Sequence, residues 1–597
     1  MNYLKEIIKR NVSMNALKVA IKDVVVGDLI KSIDPNTNEV VYKKVTAVMY
    51  SEVPEINHVT LAFANGVVLR CSNNHPIMVH GTCGIEEVLP MDLTISHDII
   101  SSNGLTKLAT LSKEVSDTTR YLDITVEDTH TFFVADTLES DMVLTHNSQG
   151  GIRGASATFN FPLWHLEFET LIELKNNKGT HETRLPVVDY CVALNKTMYE
   201  RLLQKGNITF FSPDEVPDLY EAFYGPAEEF KVLYEKYEKD VKKTKKTLPA
   251  IEVFTKLVME RFGTGRIYIL HADHVNTHSS FNSKVYMTNL CCEITLPTSE
   301  MGTDESLIAL CTLSAINWGK VRTEVEMAEA CNMAVRALDA LLDYQDYPNV
   351  AAARHTALYR PLGVGIINLA YDMVKSNKSW NDEDTYPWVE EKMSLMSYYL
   401  IKASVDLAEE LGPCPGDNKY KQGIFPIDTC IGNNIPIPSI GFQEVDWEGL
   451  REKAKTFGIR NSTLMAMMPS ESSSQLANAT NGIEPPRSLI TTKGNKDSAV
   501  SQVVPDYIRL GHAYEVSWDI PVSSYLQVMA RIQKYTDQAI SVNENLDPNK
   551  GEITVKMLIE NLLLAYKLGI KTLYYSNTNT DEKDAEDDGC ESGACKI

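Results

Sequence analysis

Two periodicities divide this chain of 597 residues. Up to about residue 147, apolar and polar residues alternate in short runs at 18–26, 40–49, 58–63, 67–71, 121–126 and 131–134. A period of two, rich in β-branched residues and bounded by turn formers, predicts strands with one buried face. Asp34-Pro35-Asn36 is turn chemistry, and Asn65-Gly66 between two such runs predicts a hairpin. Only the start reads otherwise: Tyr3, Leu4, Ile7 and Ile8 fall at helical spacing, so a short helix is expected there. Beyond residue 148, longer segments of period 3.6 alternate with short apolar runs. Ser212-Pro213-Asp214-Glu215 has the form of a capping box with proline in the first turn. Phe230, Leu233, Tyr234, Tyr237 and Val241 line one face of a helix over 229–242, and 327–343 predicts another. Strands are expected at 266–270, 307–313, 363–368, 463–468 and 572–575. Strands alternating with helices predict an α/β body, either a barrel or a large parallel sheet.

The length calls for two to four domains. A net charge of −23 argues against a surface that coats nucleic acid, while leaving room for a nucleotide held by backbone amides. No run of 18 apolar residues is present, so no membrane span is expected, and the N-terminus has no apolar stretch of the signal-peptide kind. Eleven scattered cysteines fit a reducing cytoplasm in which individual thiols do chemistry. Residues 577–597 are acidic (Asp581, Glu582, Asp584, Glu586, Asp587, Asp588) and poor in apolar residues, which predicts a flexible tether.

Between the two regions stands Thr145-His146-Asn147-Ser148. An asparagine followed by a hydroxyl residue can cleave its own backbone. The side-chain nitrogen attacks the asparagine carbonyl, a succinimide forms, and the next residue's amine leaves. A nearby imidazole can protonate that amine or polarise the carbonyl. The same residues also suit an ordinary turn. Three histidines punctuate the strand-rich region: His75 in Cys71-Ser72-Asn73-Asn74-His75-Pro76, His130 in Asp128-Thr129-His130-Thr131-Phe132, and His146. Singly, each could be a satisfied or an exposed histidine. With residues 20–28, 121–133 and the terminal asparagine, in this order, they resemble the Hint fold of inteins, the self-splicing protein elements, over about residues 17–147. The resemblance implies that Ser72 and His75 strain and polarise an upstream scissile peptide. It also implies that His130 and His146 assist cyclisation of Asn147, that Asp123 orients the branched intermediate, and that Ser148 accepts the upstream segment. Inteins open with a nucleophilic Cys or Ser, and no cysteine precedes Cys71. The expected arrangement is therefore the C-terminal portion of a split intein, with the first block on a second polypeptide. A degenerate element that only cleaves at Asn147 is the alternative.

The chemistry of the second region concentrates in Thr288-Asn289-Leu290-Cys291-Cys292-Glu293-Ile294. In an extended segment Asn289, Cys291 and Glu293 would share a face. A buried structural cysteine and half of a Cys-Cys metal site compete with a catalytic reading, although no second ligand pair lies nearby and no metal is expected. Tyr574-Tyr575 suits a strand with side chains on opposite faces. Ser470-Glu471-Ser472-Ser473 could open a helix whose amides and hydroxyls suit a diphosphate.

With Cys311 and the terminal pair Cys590 and Cys595, these residues closely resemble the large (alpha) subunit of class I ribonucleotide reductases, almost without gaps from residue 148 to 597. The resemblance implies that Cys291 becomes a thiyl radical, Glu293 acts as general base, Asn289 binds the ribose hydroxyls and Cys311 is one of two reducing thiols. Tyr574 and Tyr575 would relay the radical from a separate beta subunit holding a diiron–tyrosyl radical. A cobalamin-dependent enzyme is disfavoured because a tyrosine pair implies an external radical source. Ser470 to Ser473 would hold the diphosphate of a ribonucleoside diphosphate. Cys590 and Cys595 would re-reduce the active site and be recharged by thioredoxin or glutaredoxin. Ser148, Gln149, Gly150, Gly151 and Arg153 fall in the family's specificity loop, which departs from the usual pattern at Ala155. Cys292 stands where an aliphatic residue is usual, and is expected to fill space.

The expected architecture is multidomain. An all-β Hint module (1–147) precedes an α/β portion of a ten-stranded reductase barrel (148–576) and a flexible acidic tail (577–597). Everything upstream of the specificity loop would reside on a partner: the thiol that pairs with Cys311, and the sites for ATP or deoxynucleotide effectors. An alpha homodimer and, from the splicing element, a phage-like source are further implications. The alternative is that the Hint module only cleaves or associates, and the reductase works as a non-covalent split complex.

Overall fold

The computed structural model describes the chain apart from residues 1–3, 9–16, 35–38, 54–57, 73–74, 82–83, 115–118, 128, 130, 138–140, 147–155, 177–183, 186–187, 304, 348, 431–444, 495–498 and 580–597. It divides into two compact units, Met1–Gly154 and Ala155–Ile597.

The first unit is built from strands. Val40–Val53 pairs antiparallel with Thr119–Val126 and Leu29–Ile33, Ile77–Gly81 with Gly84–Val88, and Thr131–Val134 with Val143–His146. Alternation decides the faces. Ile77, Val79, Ile99 and Val143 enter one apolar cluster, while Met78, Ile100, Phe133 and Leu144 enter another. Asn65-Gly66 does close a hairpin between His58–Phe63 and Val68–Ser72. Gly66 N–H donates to Phe63 O at 3.0 Å and takes φ +87°, so the loop is a tight turn followed by a left-handed glycine. The helix expected at the start is instead a strand, Leu4–Ile8, paired with Leu17–Ala20 and Leu29–Ile33. Five residues are too few to nucleate a helix alone, whereas two neighbouring strands satisfy their backbone.

In the second unit Thr158–Pro162, Asp189–Leu194 and Ile267–His271 pair in parallel, and Thr572–Leu573 closes this sheet antiparallel. Leu313–Asn317 and Gly363–Ile367 form a second parallel pair, continued by single bridges Val364 to Met465 and Met467 to Ile540. Every residue of Asp189–Leu194, Ile267–His271 and Gly363–Ile367 is buried, as expected where helices cover one face and barrel contents the other. Gly365 is required by close approach: a Cβ there would lie 2.5 Å from Met468 Sδ and 2.9 Å from Ala466 O. The helix expected over 327–343 runs Glu324–Tyr344, opened by a true capping box between Thr323 and Glu326.

Four sequence expectations change here. Ser212–Glu215 forms a turn, and the helix starts at Pro217. A residue before proline is pushed out of the helical region, and Val216 sits at φ −134°, ψ 57°. The strand expected at 307–313 begins only at Leu313. The 463–468 segment makes bridges rather than a strand, because the Asp537 carboxylate accepts the Leu464 and Met465 N–H groups at 2.7 and 2.8 Å. The folded body also runs past 577. Ser576–Thr578 pairs in parallel with Glu544–Leu546, and Asn577 and Asn579 donate their side-chain amides to Asn545 and Asp547. No helix among the described residues is long and apolar enough to cross a membrane.

Candidate active site

The segment between the helix Ala272–Thr277 and the strand Leu313–Asn317 runs as a loop anchored to both sheets. On one side Thr158 donates to Leu290 O at 3.1 Å, and Thr288 donates its N–H and hydroxyl to Asn160 Oδ1 at 3.3 and 3.2 Å. On the other, Ala539 N–H donates to Glu293 O at 2.9 Å and Ser541 Oγ to Cys291 O at 2.7 Å. The loop is not extended, so alternation does not place its side chains. Cys292 N–H turns back to Asn289 O at 3.2 Å, Asn289 Oδ1 accepts from Ile294 N–H at 3.0 Å, and Cys292 adopts a left-handed φ of +67°. This tight turn gathers Asn289, Cys291 and Glu293. Cys292 points away, wholly buried with Cys191 and Thr288 beside it, and burial pushes its thiol well up. That agrees with the space-filling role expected of it.

Glu293 is 2% exposed, and burial pushes its carboxyl up to about 7 against hydrogen bonds from Asn289 and Ser541 that favour the charged form. Cys311, just ahead of Leu313–Asn317, accepts from Asn289 Nδ2 at 3.7 Å. Its sulfur opens to solvent on one side, yet the protein packed around the rest, and then the Glu293 charge, push its thiol up to about 12. The tyrosines do not face opposite ways. The strand ends at Leu573, and Tyr574 and Tyr575 stack with ring centroids 3.7 Å apart. The Tyr574 hydroxyl lies 2.6 Å from that of Tyr575 and 3.5 Å from Cys291 Sγ, which makes an unbroken Tyr575–Tyr574–Cys291 line.

The serine-rich turn opens the helix Glu471–Leu476 with Ser470 at its cap, as expected. Its first two amides are already engaged: Ser470 and Glu471 N–H donate to Asn481 Oδ1 at 3.1 and 2.9 Å, so a phosphate would have to rely on the following residues. Glu471, Asn481, Glu484 and Arg487 line a cleft of about 330 Å³, and Tyr574 and Tyr575 are also among its lining residues.

In the first unit, His146 N–H donates to Pro76 O at 3.1 Å, next to His75, whose ring packs against Phe132 at 6.4 Å. His146 Nε2 faces Glu87 Oε1 at 3.4 Å. Ser72 O accepts from His75 N–H at 3.2 Å. Asp123 is buried on the strand Thr119–Val126, its Oδ1 accepting from Ile124 N–H at 2.9 Å. His130, Asn147, Ser148, Gln149, Gly150, Gly151, Arg153, Cys590 and Cys595 lie outside the described residues.

Sequence reasoning missed the residues that hold the tyrosines. Arg261, on the helix Ala250–Thr264, donates to Tyr574 O at 2.6 Å and Tyr575 O at 3.4 Å and pairs with buried Glu544 at 2.9 Å. Asn543 Oδ1 accepts from Tyr575 N–H at 3.0 Å. Neither belongs to a local motif. Their partners lie 32 to 314 residues away, so only the folded chain reveals them.

An α/β barrel with a thiol and a carboxyl on an interior loop, met by a stacked tyrosine pair, is the class that fold and site define. The family model described as ribonucleotide reductase, barrel domain, matches residues 134–576, and one described as pretoxin HINT domain matches residues 12–148. The chain belongs to the ribonucleotide reductase family, with a Hint-type domain ahead of the barrel. It is 48% identical over 467 residues to the ribonucleoside-diphosphate reductase subunit alpha of Haemophilus influenzae, covering 75% of this chain and 61% of that protein. To the Escherichia coli ribonucleoside-diphosphate reductase 1 subunit alpha it is 49% identical over 470 residues, and to the subunit alpha of Enterobacteria phage T4 40% over 476. Each of these alignments covers 75% of this chain and 62% of the relative. The chain thus spans about three fifths of the length of the curated relatives it matches.

Proposed function

We propose that this chain is a precursor which splices in trans with an upstream fragment, releases residues 1–147 and completes the alpha subunit of a ribonucleoside-diphosphate reductase. The reductase reading is carried by the line Tyr575–Tyr574–Cys291, with hydroxyl and thiol separations of 2.6 and 3.5 Å, ending beside a buried carboxyl and a second thiol. A tyrosine can pass an electron and a proton together, so a radical generated on a separate subunit reaches Cys291 without a charge being stranded in the interior. A diiron–tyrosyl centre held by that subunit would supply the radical.

Cys291 then removes the ribose 3′ hydrogen atom, and Glu293, whose carboxyl titrates near neutrality, takes the 3′-hydroxyl proton. Asn289 hydrogen-bonds the ribose hydroxyls. The 2′-hydroxyl leaves as water, while Cys311 and a thiol of the upstream fragment give up two electrons and become a disulfide. Cys291 then returns its hydrogen atom to the 3′ carbon and is left as the thiyl radical, which the tyrosine pair carries back to the separate subunit. Cys590 and Cys595 then reduce the disulfide by exchange and are recharged by thioredoxin or glutaredoxin. The specificity loop from Ser148 to Arg153 begins at the splice junction, and effector nucleotides would bind the upstream half.

The splicing reading is supported by the match to a Hint domain model ending at residue 148 and by the convergence of His146 on the His75-Pro76 segment. Mixing the chain with an upstream fragment and measuring intact masses tests it: a ligated product with loss of residues 1–147 is expected, and Asn147→Ala should block it. Two stable fragments with reductase activity would replace splicing by non-covalent assembly. Cys291→Ala should leave ligation intact and abolish reduction, and retained turnover would remove Cys291 from the radical role.

A further inference from the structure

Ser541 occupies a position that the reaction above does not use. It is 3% exposed, and its hydroxyl oxygen lies 2.7 Å from Cys291 O and 3.1 Å from Glu293 Oε2. Its backbone is fixed: Ser541 N–H donates to Met467 O at 3.0 Å, and the preceding carbonyl accepts from Thr572 Oγ1 at 2.6 Å. A serine hydroxyl carries one proton and two acceptor sites. When Glu293 is ionised, Cys291 O and Glu293 Oε2 are both acceptors and compete for that proton. When Glu293 is protonated, its own O–H can donate to Ser541 Oγ while Ser541 donates to Cys291 O, and every group in the chain is satisfied.

We propose that Ser541 is a positioning residue that couples the protonation state of Glu293 to the backbone of Cys291. The inference rests on the reductase reading. As Glu293 takes the substrate proton, the hydroxyl turns from the carboxylate to the Cys291 carbonyl. The tip of the loop is then held most firmly while the substrate is deprotonated. One proton moves from substrate to Glu293, and the hydroxyl proton changes only its acceptor. The groups facing Glu293 are Asn289 and Cys311 from the loop, and Ser541 from the opposite side. Ser541 is the one whose hydrogen bond links the carboxyl to the radical residue's main chain.

The test uses Ser541→Ala and Ser541→Thr in the assembled reductase, with kcat/KM followed against pH. The serine bond favours the ionised carboxyl, so its loss should move the acid limb to higher pH by about half to one pH unit. That corresponds to a three- to tenfold lower kcat/KM near pH 6, with little change near pH 9, and Ser541→Thr should restore the native profile. A merely structural role would lower the rate equally at all pH values and would overturn the coupling. The same displacement should appear in the carboxyl infrared band of the full chain without turnover, assigned by its absence in Glu293→Gln. An unmoved band overturns the coupling, whereas an assembled enzyme that reduces nothing overturns the reductase reading, and the infrared titration still decides the role of Ser541.

Discussion

Replacing Glu293 by glutamine should make the barrel more stable at alkaline pH while destroying its activity. In the folded protein the carboxyl is pushed from 4.5 up to about 7, chiefly by burial, so the folded state holds this proton more tightly than the unfolded one. The stabilising contribution is therefore fully present below about pH 4.5 and is lost as pH rises through about 7. A displacement of this size corresponds to about 3 kcal/mol between the two limits. Glutamine has the shape of the protonated acid and no charge to desolvate, so the variant should match the native protein near pH 4.5 and exceed it by about 3 kcal/mol at pH 8. With an unfolding entropy of about 2 cal/mol/K per residue, a unit this large gains roughly 1 °C per kcal/mol. Calorimetry of the barrel transition should thus show the two Tm curves separating by about 3 °C between pH 5 and pH 8. Turnover should fall by at least about a hundredfold, the usual contribution of a positioned base. Parallel Tm curves would refute the reasoning, because they would mean that Glu293 is as solvated folded as unfolded.

Two further outcomes follow from the tyrosine pair. Arg261→Ala leaves Glu544 buried without its partner and frees the Tyr574 and Tyr575 carbonyls, so it should cost about 3–5 kcal/mol, measured by denaturant unfolding of the barrel. Tyr574→Phe keeps the stack but removes the hydroxyl that spans Tyr575 and Cys291. Nucleotide binding should persist while turnover driven by the radical-supplying subunit stops, and unimpaired reduction would refute the relay.

What could be read from the sequence depended on how local its causes are. The runs 58–63 and 131–134 became strands at those limits: burial alternates along the first, while the second is buried on both faces, and in each the β-rich composition is written in successive residues. The helix expected over 327–343 was legible for the same reason, although its cap at Thr323 and its first turn were not read. Leu4–Ile8 was misread as a helix because five residues do not separate the two periods, and neighbouring strands decided the outcome. Pro217 overrode the cap-like signal at Ser212. In the site, Asn289, Cys291 and Glu293 were correctly grouped, but an extended segment was the wrong geometry. The left-handed turn at Cys292 brings them together, and residues from 539–541 and 158–160 hold it. Ser541 and Arg261 left no trace in the sequence, since what gives them a role lies about 250 to 310 residues away.

The two-residue strand Thr572–Leu573 has a consequence for biosynthesis. It covers the edge of Ile267–His271, a pairing across about 300 residues, and the tyrosine pair follows it immediately. Contacts this distant in sequence form late. A polypeptide still emerging from the ribosome, or one truncated short of this point, therefore has the loop that carries Cys291 but neither the strand that closes the sheet nor the two tyrosines stacked beside that thiol.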